Sequence, residues 1–260
     1  MILQEIAEAT KIRVAKEKQQ ISSDEMKRKA LSLPKKNFSF EKKIGSGGIR
    51  FICEVKKASP SKGVIAKEFP YVEIAKDYEK AGADCISVLT EPDYFMGSID
   101  FLKEIKEQVK TVPVIRKDFI MDEYMIYQAR VADADCVLLI CSLLDTETLK
   151  KYIGICDELG LSALVEAHDE KEIESAITAG ARMIGVNNRD LKTFTVDIHN
   201  SERLRKLVPE HIYFVAESGI KTHDDIKVLE DAKVNGVLIG ETLMRSENKK
   251  QMLDELKGLK

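Results

Sequence analysis

From Phe51 onward the sequence repeats one unit eight times: a short run rich in Val, Ile, Leu and Cys, then a longer stretch with helical spacing. The runs are 51–56 (FICEVK), 85–89 (CISVL), 112–117 (VPVIRK), 136–140 (CVLLI), 162–166 (SALVE), 182–186 (RMIGV), 212–216 (IYFVA) and 235–239 (NGVLI). Their starts lie about 20 to 34 residues apart, close to the roughly 30 of one βαβ unit. Such alternation builds a parallel sheet. Gly82, Gly160 and Gly180 precede the second, fifth and sixth runs, where a left-handed glycine ends a helix and returns the chain to the sheet. Eight units close a barrel, whereas a doubly wound sheet shows five or six strands and a glycine-rich turn after the first. Gly45-Ser46-Gly47-Gly48 comes before the first run, which makes it a linker and not a dinucleotide fingerprint. The expected fold is therefore α/β, a (β/α)8 TIM barrel spanning 50–260.

Residues 1–45 lie outside the eight units and read as a helical extension. Ile2, Ile6 and Ala9 share one face, and a second helix over 23–33 starts at a Ser/Asp cap and stops at Pro34. A chain of 260 residues suits one barrel of about 250, so 1–260 is read as a single domain. Forty-four acidic against 41 basic residues, with no basic stripe, argue against nucleic acid. The charged first twenty residues exclude a secretory signal, and no apolar run approaches a membrane span, so no membrane partner and a cytoplasmic location are expected. Cys53, Cys85, Cys136, Cys141 and Cys156 form no C-x-x-C pair and have no histidine at zinc spacing; they read as small buried hydrophobes, with no metal expected.

In a barrel of this kind chemistry gathers at the C-terminal ends of the strands. Glu54 and Lys56 close the first run, Lys117 the third, Glu166 the fifth, Asn187 and Asn188 the sixth, and Glu217 follows the seventh. Residues two apart share a face, so Glu54 and Lys56 point with Ile52, Lys117 with Ile115 and Glu166 with Leu164. One such pair alone is most simply a surface salt bridge. Two lysines with two or three glutamates converging on one mouth are hard to explain as structure. The loops after the seventh and eighth runs, Glu217-Ser218-Gly219-Ile220 and Gly240-Glu241-Thr242, carry glycines that let a phosphate approach backbone N–H groups. Either alone is an ordinary βα turn; both in these places favour a phosphate.

The segment 54–63 (EVKKASPSKG) resembles the first-strand signature of indole-3-glycerol-phosphate synthases. So do Val88-Leu89-Thr90-Glu91 with Tyr94-Phe95-Met96-Gly97-Ser98, Arg116-Lys117-Asp118-Phe119-Ile120, Val165-Glu166-Ala167-His168, 185–191 (GVNNRDL) and Ala216-Glu217-Ser218-Gly219-Ile220. The resemblance covers the whole chain, including the N-terminal extension; Cys141-Ser142 is a mild departure, where small apolar residues are commoner. It implies one reaction on 1-(o-carboxyphenylamino)-1-deoxyribulose 5-phosphate: ring closure with loss of carbon dioxide and water, without a redox cofactor or metal, in tryptophan biosynthesis.

The same resemblance implies the roles. Lys117 is the general acid at the ketone oxygen. Lys56 holds the anthranilate carboxylate and is a second candidate donor for the dehydration. Glu166 is the partner acid or base, Glu54 tunes the lysines, and Asn187 and Glu217 orient hydroxyls and amine. Ser59, Ser218, Gly219, Gly240 and Glu241 hold the phosphate, while Phe95, Phe119, Leu138, Ile140, Arg189, Leu191 and Leu238 contact the rest of the substrate. The expected partner is thus a small phosphorylated molecule, bound by a monomer. Two rivals are phosphoribosylanthranilate isomerase, against which the 54–63 segment speaks, and a catalytically silent barrel binding an anionic metabolite or an enzyme, which needs no mixture of acids and bases.

Overall fold

A computed structural model of the chain describes residues 2–190 and 194–259. It opens with helices α1 (Ile2–Gln20), α2 (Ser23–Ser32) and α3 (Ser39–Ile44). The Ser22 hydroxyl accepts from the Glu25 N–H and starts α2, and the chain turns extended at Leu33, ahead of Pro34. On α1 the buried face is Ile6, Ala7, Thr10 and Val14, with Ile2 and Ala9 only half-buried, a rotation from the expected Ile2, Ile6, Ala9 face. Its cause is polar: Arg13 donates to Asp118 at 2.8 Å, Glu17 accepts from Gln128 at 3.0 Å and Lys18 pairs with Asp122 at 2.7 Å, which fixes the roll of the helix on the barrel.

Helix α3 had no separate expectation, since it starts at a left-handed Phe38 without a side-chain cap. It plugs the barrel. Phe40 and Ile44 are fully buried against inward residues of the strands, and the Glu41 N–H donates to Ser162 Oγ at 3.1 Å. The 45–48 linker joins this plug to the first strand, and a Cβ on Gly45 would sit 2.3 Å from the Tyr213 ring.

Strand β1 (Arg50–Val55) leads into a small hairpin of β2 (Ala58–Ser59) and β3 (Gly63–Val64). Then come β4 (Cys85–Leu89), β5 (Val114–Lys117), β6 (Cys136–Ile140), β7 (Ser162–Ala167), β8 (Met183–Asn187), β9 (Tyr213–Glu217) and β10 (Gly236–Ile239). Apart from the hairpin, each pairs in parallel with its sequence neighbour, and β1 pairs with both β4 and β10, so eight strands close a barrel. This is the expected (β/α)8 architecture. Boundaries shift by one or two residues: β8 and β9 reach Asn187 and Glu217, Lys56 lies just past β1, and β5 starts only after Pro113.

Helices α4 (Tyr71–Ala81), α5 (Ile99–Gln108), α6 (Glu123–Val131), α7 (Thr146–Leu159), α8 (Glu170–Thr178), α9 (His199–Arg205), α10 (His223–Asp231), α11 (Glu241–Arg245) and α12 (Lys249–Leu256) complete the chain. Gly82 and Gly160 end α4 and α7 in the left-handed conformation, as their positions imply, and Gly160 also passes so close to the Lys36 carbonyl that a Cβ would lie 1.9 Å from it. Among the described residues no helix is long and apolar enough to cross a membrane. Cys53, Cys85, Cys136 and Cys156 are buried free thiols and Cys141 is half-buried.

Inside the barrel, Ile52, Cys85, Ile115, Leu164, Met183 and Val215 form an apolar plug above α3. Two residues further along β1, β5, β7, β8 and β9 the same inward face presents Glu54, Lys117, Glu166, Gly185 and Glu217. The change from apolar to ionic places the site.

Candidate active site

A cavity of about 760 Å³ opens at the C-terminal ends of the strands, and every expected site residue that the structure describes lines it. Leu191 lies outside the described residues. The strand ends bring the acids and bases together at the cavity floor. Lys117 Nζ lies 3.0 Å from Glu217 Oε2 and 3.2 Å from Glu166 Oε2. Lys56 Nζ lies 2.5 Å from Glu54 Oε1, whose partner oxygen accepts from Ser87 Oγ at 3.3 Å.

Burial sets the electrostatics. It would by itself push the Lys117 ammonium down, but the Glu166, Glu217 and Glu54 carboxylates outweigh it and hold the ammonium well above its ordinary range. Burial opposes ionisation of Glu166 too, yet Lys117 and His168 hold it well below the usual carboxylate range. Glu217 goes the other way. Burial, with the neighbouring Glu166 charge, outweighs Lys117 and pushes it up to about 7. Two carboxylates thus flank one ammonium with their proton affinities driven apart, the arrangement that lets neighbouring acids take different roles.

Two glycines make room for these groups. A Cβ on Gly240 would lie 2.5 Å from Glu54 Oε1 and 2.8 Å from Lys56 Nζ, and one on Gly185 would lie 2.5 Å from Glu217 Oε1. Neither residue has a positive φ, so space and not backbone freedom requires glycine there.

At one side of the cavity stand Ser59, Ser218, Gly219, Gly240 and Glu241, the last opening α11 directly after β10. Ser218 and Gly219 both have positive φ, 68° and 86°, which turns the β9 loop sharply over the mouth. Lys62 and Arg245 reach the same region, 3.6 and 3.0 Å from Glu241 Oε1. Phe95 and Phe119 pack with ring centroids 5.8 Å apart and line the cavity with Leu138, Ile140 and Leu238. Arg189 sits at the rim, its guanidinium donating to the Phe194 carbonyl at 3.3 Å.

Residues 3–256 match the family model described as indole-3-glycerol phosphate synthase. The chain belongs to that family. It is 59% identical to an indole-3-glycerol phosphate synthase of Ruminiclostridium cellulolyticum over 99% of both chains, and 58% identical to one of Endomicrobium trichonymphae over 99% of this chain and all of that one. Among solved structures, 3-hexulose-6-phosphate synthase from Salmonella typhimurium aligns with a TM-score of 0.67 at 16% identity, covering 81% of this chain and 97% of that one. A phosphoribosylanthranilate isomerase from Thermotoga maritima aligns at 0.58 and 16% identity, covering 82% and 100%. At such identities the likeness shows the barrel fold alone. Family membership makes the chain an enzyme, a carboxy-lyase that forms indole-3-glycerol phosphate in tryptophan biosynthesis.

Several residues of this synthase cavity escaped the sequence reading. Ile2, Leu3 and Ile6 of α1 contribute apolar wall, and Lys62, Lys221 and Arg245 contribute charge. Lys62 stands inside the 54–63 segment, the one signal that points to it. Asn188 lies one residue past β8 and faces outward, where it ties its loop to α9 and to the β9 loop: Oδ1 accepts from Ser201 N–H at 3.0 Å and Oγ at 2.8 Å, and Nδ2 donates to the Ser218 carbonyl at 3.1 Å.

Proposed function

We propose that the cavity binds 1-(o-carboxyphenylamino)-1-deoxyribulose 5-phosphate with its phosphate at Ser59, Ser218, Gly219, Gly240 and the Glu241 N–H, and its aromatic ring over Phe95 and Phe119. The observation that carries this reading is the buried Lys117 ammonium between Glu166 and Glu217, in a cavity that both apolar side chains and the glycines of the β9 and β10 loops line.

In the first step the ring carbon bearing the carboxylate attacks the ketone carbon, and charge builds on the ketone oxygen. An ammonium held by two carboxylates is a poor acid towards a neutral carbonyl and a good one towards an alkoxide. Lys117 therefore gives its proton as the C–C bond forms, an interaction stronger in the transition state than in the ground state. Lys56 holds the carboxylate until carbon dioxide leaves, and the electron pair of the broken bond restores the ring. In the dehydration the new hydroxyl departs as water with a proton from a lysine, while Glu166 removes the proton whose loss completes the indole. Glu54 keeps Lys56 directed, and Asn187 and Glu217 position the hydroxyls and amine. No step needs a metal or a redox group.

The enzyme is expected to work as a cytoplasmic monomer on this one small substrate, without nucleic acid or membrane. Incubation with the substrate tests the reading: growth of indole fluorescence is expected, and its absence under all reasonable conditions overturns it.

A further inference from the structure

Beyond β7, His168 stands between two carboxylates. Its Nδ1 lies 3.0 Å from Glu172 Oε2, which also accepts the His168 N–H at 2.8 Å, so the ring is fixed from α8. Its Nε2 is buried, and the acceptor facing it is Glu166 Oε1 at 3.3 Å, a charge pair more than an aligned hydrogen bond. The other Glu166 oxygen faces Lys117. Glu172, His168, Glu166, Lys117 and Glu217 thus form one continuous row of alternating charge.

The charges explain why a third cation belongs here. Glu54, Glu166 and Glu217 are buried carboxylates, and Lys56 and Lys117 are the two ammoniums that pair with them. That crowding of carboxylates must admit a substrate carrying a phosphate and a carboxylate. An imidazolium between Glu166 and Glu172 separates these two carboxylates and pairs with Glu166 from outside the cavity lining.

We propose that His168 is a positioning residue of the synthase reaction: clamped by Glu172, it holds Glu166 ionised and aimed at Lys117, and it does not touch the substrate. The proposal rests on the reading of Glu166 as the acid-base partner. Burial would lower the imidazole's proton affinity, but the facing Glu166 and Glu172 carboxylates raise it to about 10, so it is cationic at neutral pH. Cys141 and Asp169 also stand on this side; Cys141 Sγ lies 3.5 Å from the Glu172 carbonyl, and burial pushes its thiol up to about 12, leaving it neutral.

The test is the pH profile of turnover in His168→Gln and His168→Ala, with thermal melts to establish folding. An opposite charge in contact lowers a carboxyl's pKa by about one to three units, so losing the imidazolium should move the acid limb up by about one unit or more. Turnover near neutral pH should fall about tenfold to a hundredfold with KM changed only a few-fold, and Gln, which keeps a donor, should recover part of the loss at high pH. An acid limb that stays in place in the folded His168→Gln enzyme overturns the proposal, as does a KM rise matching the loss in turnover. Glu166→Gln separates the two ideas. Near-normal turnover there removes Glu166 from the chemistry, whereas low turnover there with an unmoved limb in His168→Gln removes the positioning role alone.

Discussion

Lys117 Nζ and Glu217 Oε2 meet at 3.0 Å with their side chains 14% and 2% exposed, so this contact is shielded from water and weakly screened by salt. Removing one partner of such a pair strands the other charge, which usually costs more than the pair contributes.

The space around them is equally specified. Ala in place of Gly240 puts a Cβ where Glu54 Oε1 and Lys56 Nζ now lie, and both are ends of flexible side chains that can move. Gly240→Ala should therefore melt within a few °C of the parent while losing more than about tenfold in kcat/KM, since displacement of about 1 Å can cost a hundredfold. Steady-state kinetics beside a thermal melt checks this; unchanged kinetics would mean the glycine is only a turn.

Glu217 gives a stability signature. Its carboxyl is raised from 4.5 to about 7, so the folded state binds more protons than the unfolded state between those values. That contribution is fully present below pH 4.5 and is lost as pH rises through about 7. Glu217→Gln stays neutral throughout. Its Tm relative to the parent should rise by a few °C from pH 5 to pH 8 while its activity falls. A difference that shrinks with pH contradicts the raised carboxyl.

At the opposite end of the barrel Phe40 is fully buried among the inward strand residues. Phe40→Ala should cost about 3–5 kcal/mol and lower Tm by about 10 °C, leaving kcat/KM at low temperature within a few-fold because Phe40 itself does not line the cavity. A selective loss of turnover in the folded variant would tie the plug to the chemistry.

How much of this was legible follows from periodicity. Alternation by two put Glu54, Lys117 and Glu166 on the inner face, and strand pairing fixes those positions. Asn187 and Glu217 fell one residue past the expected strand ends, because ladder bonding extends beyond the apolar run. Helix α3 was unreadable as a helix because it lacks a side-chain cap and is six residues long. Lys62, Lys221 and Arg245 look like any exposed cations in a chain that is 33% charged, and only the folded loops bring them to the cavity. His168 stands past the end of its strand, and its partner Glu172 comes from the next helix, so no strand pattern links them.

The proposed mechanism requires Lys117 to give its proton to the ketone oxygen as the ring carbon attacks. Measuring kcat and KM of Lys117→Ala tests it most directly, with Lys117→Arg beside it to keep charge without a usable acid. A general acid contributes about 10²–10⁴-fold, so kcat should fall by at least that much in both variants while KM stays within a few-fold, the anion end and aromatic slot being intact. Near-normal turnover in a correctly folded Lys117→Ala enzyme would contradict the account and leave Lys56 as the acid.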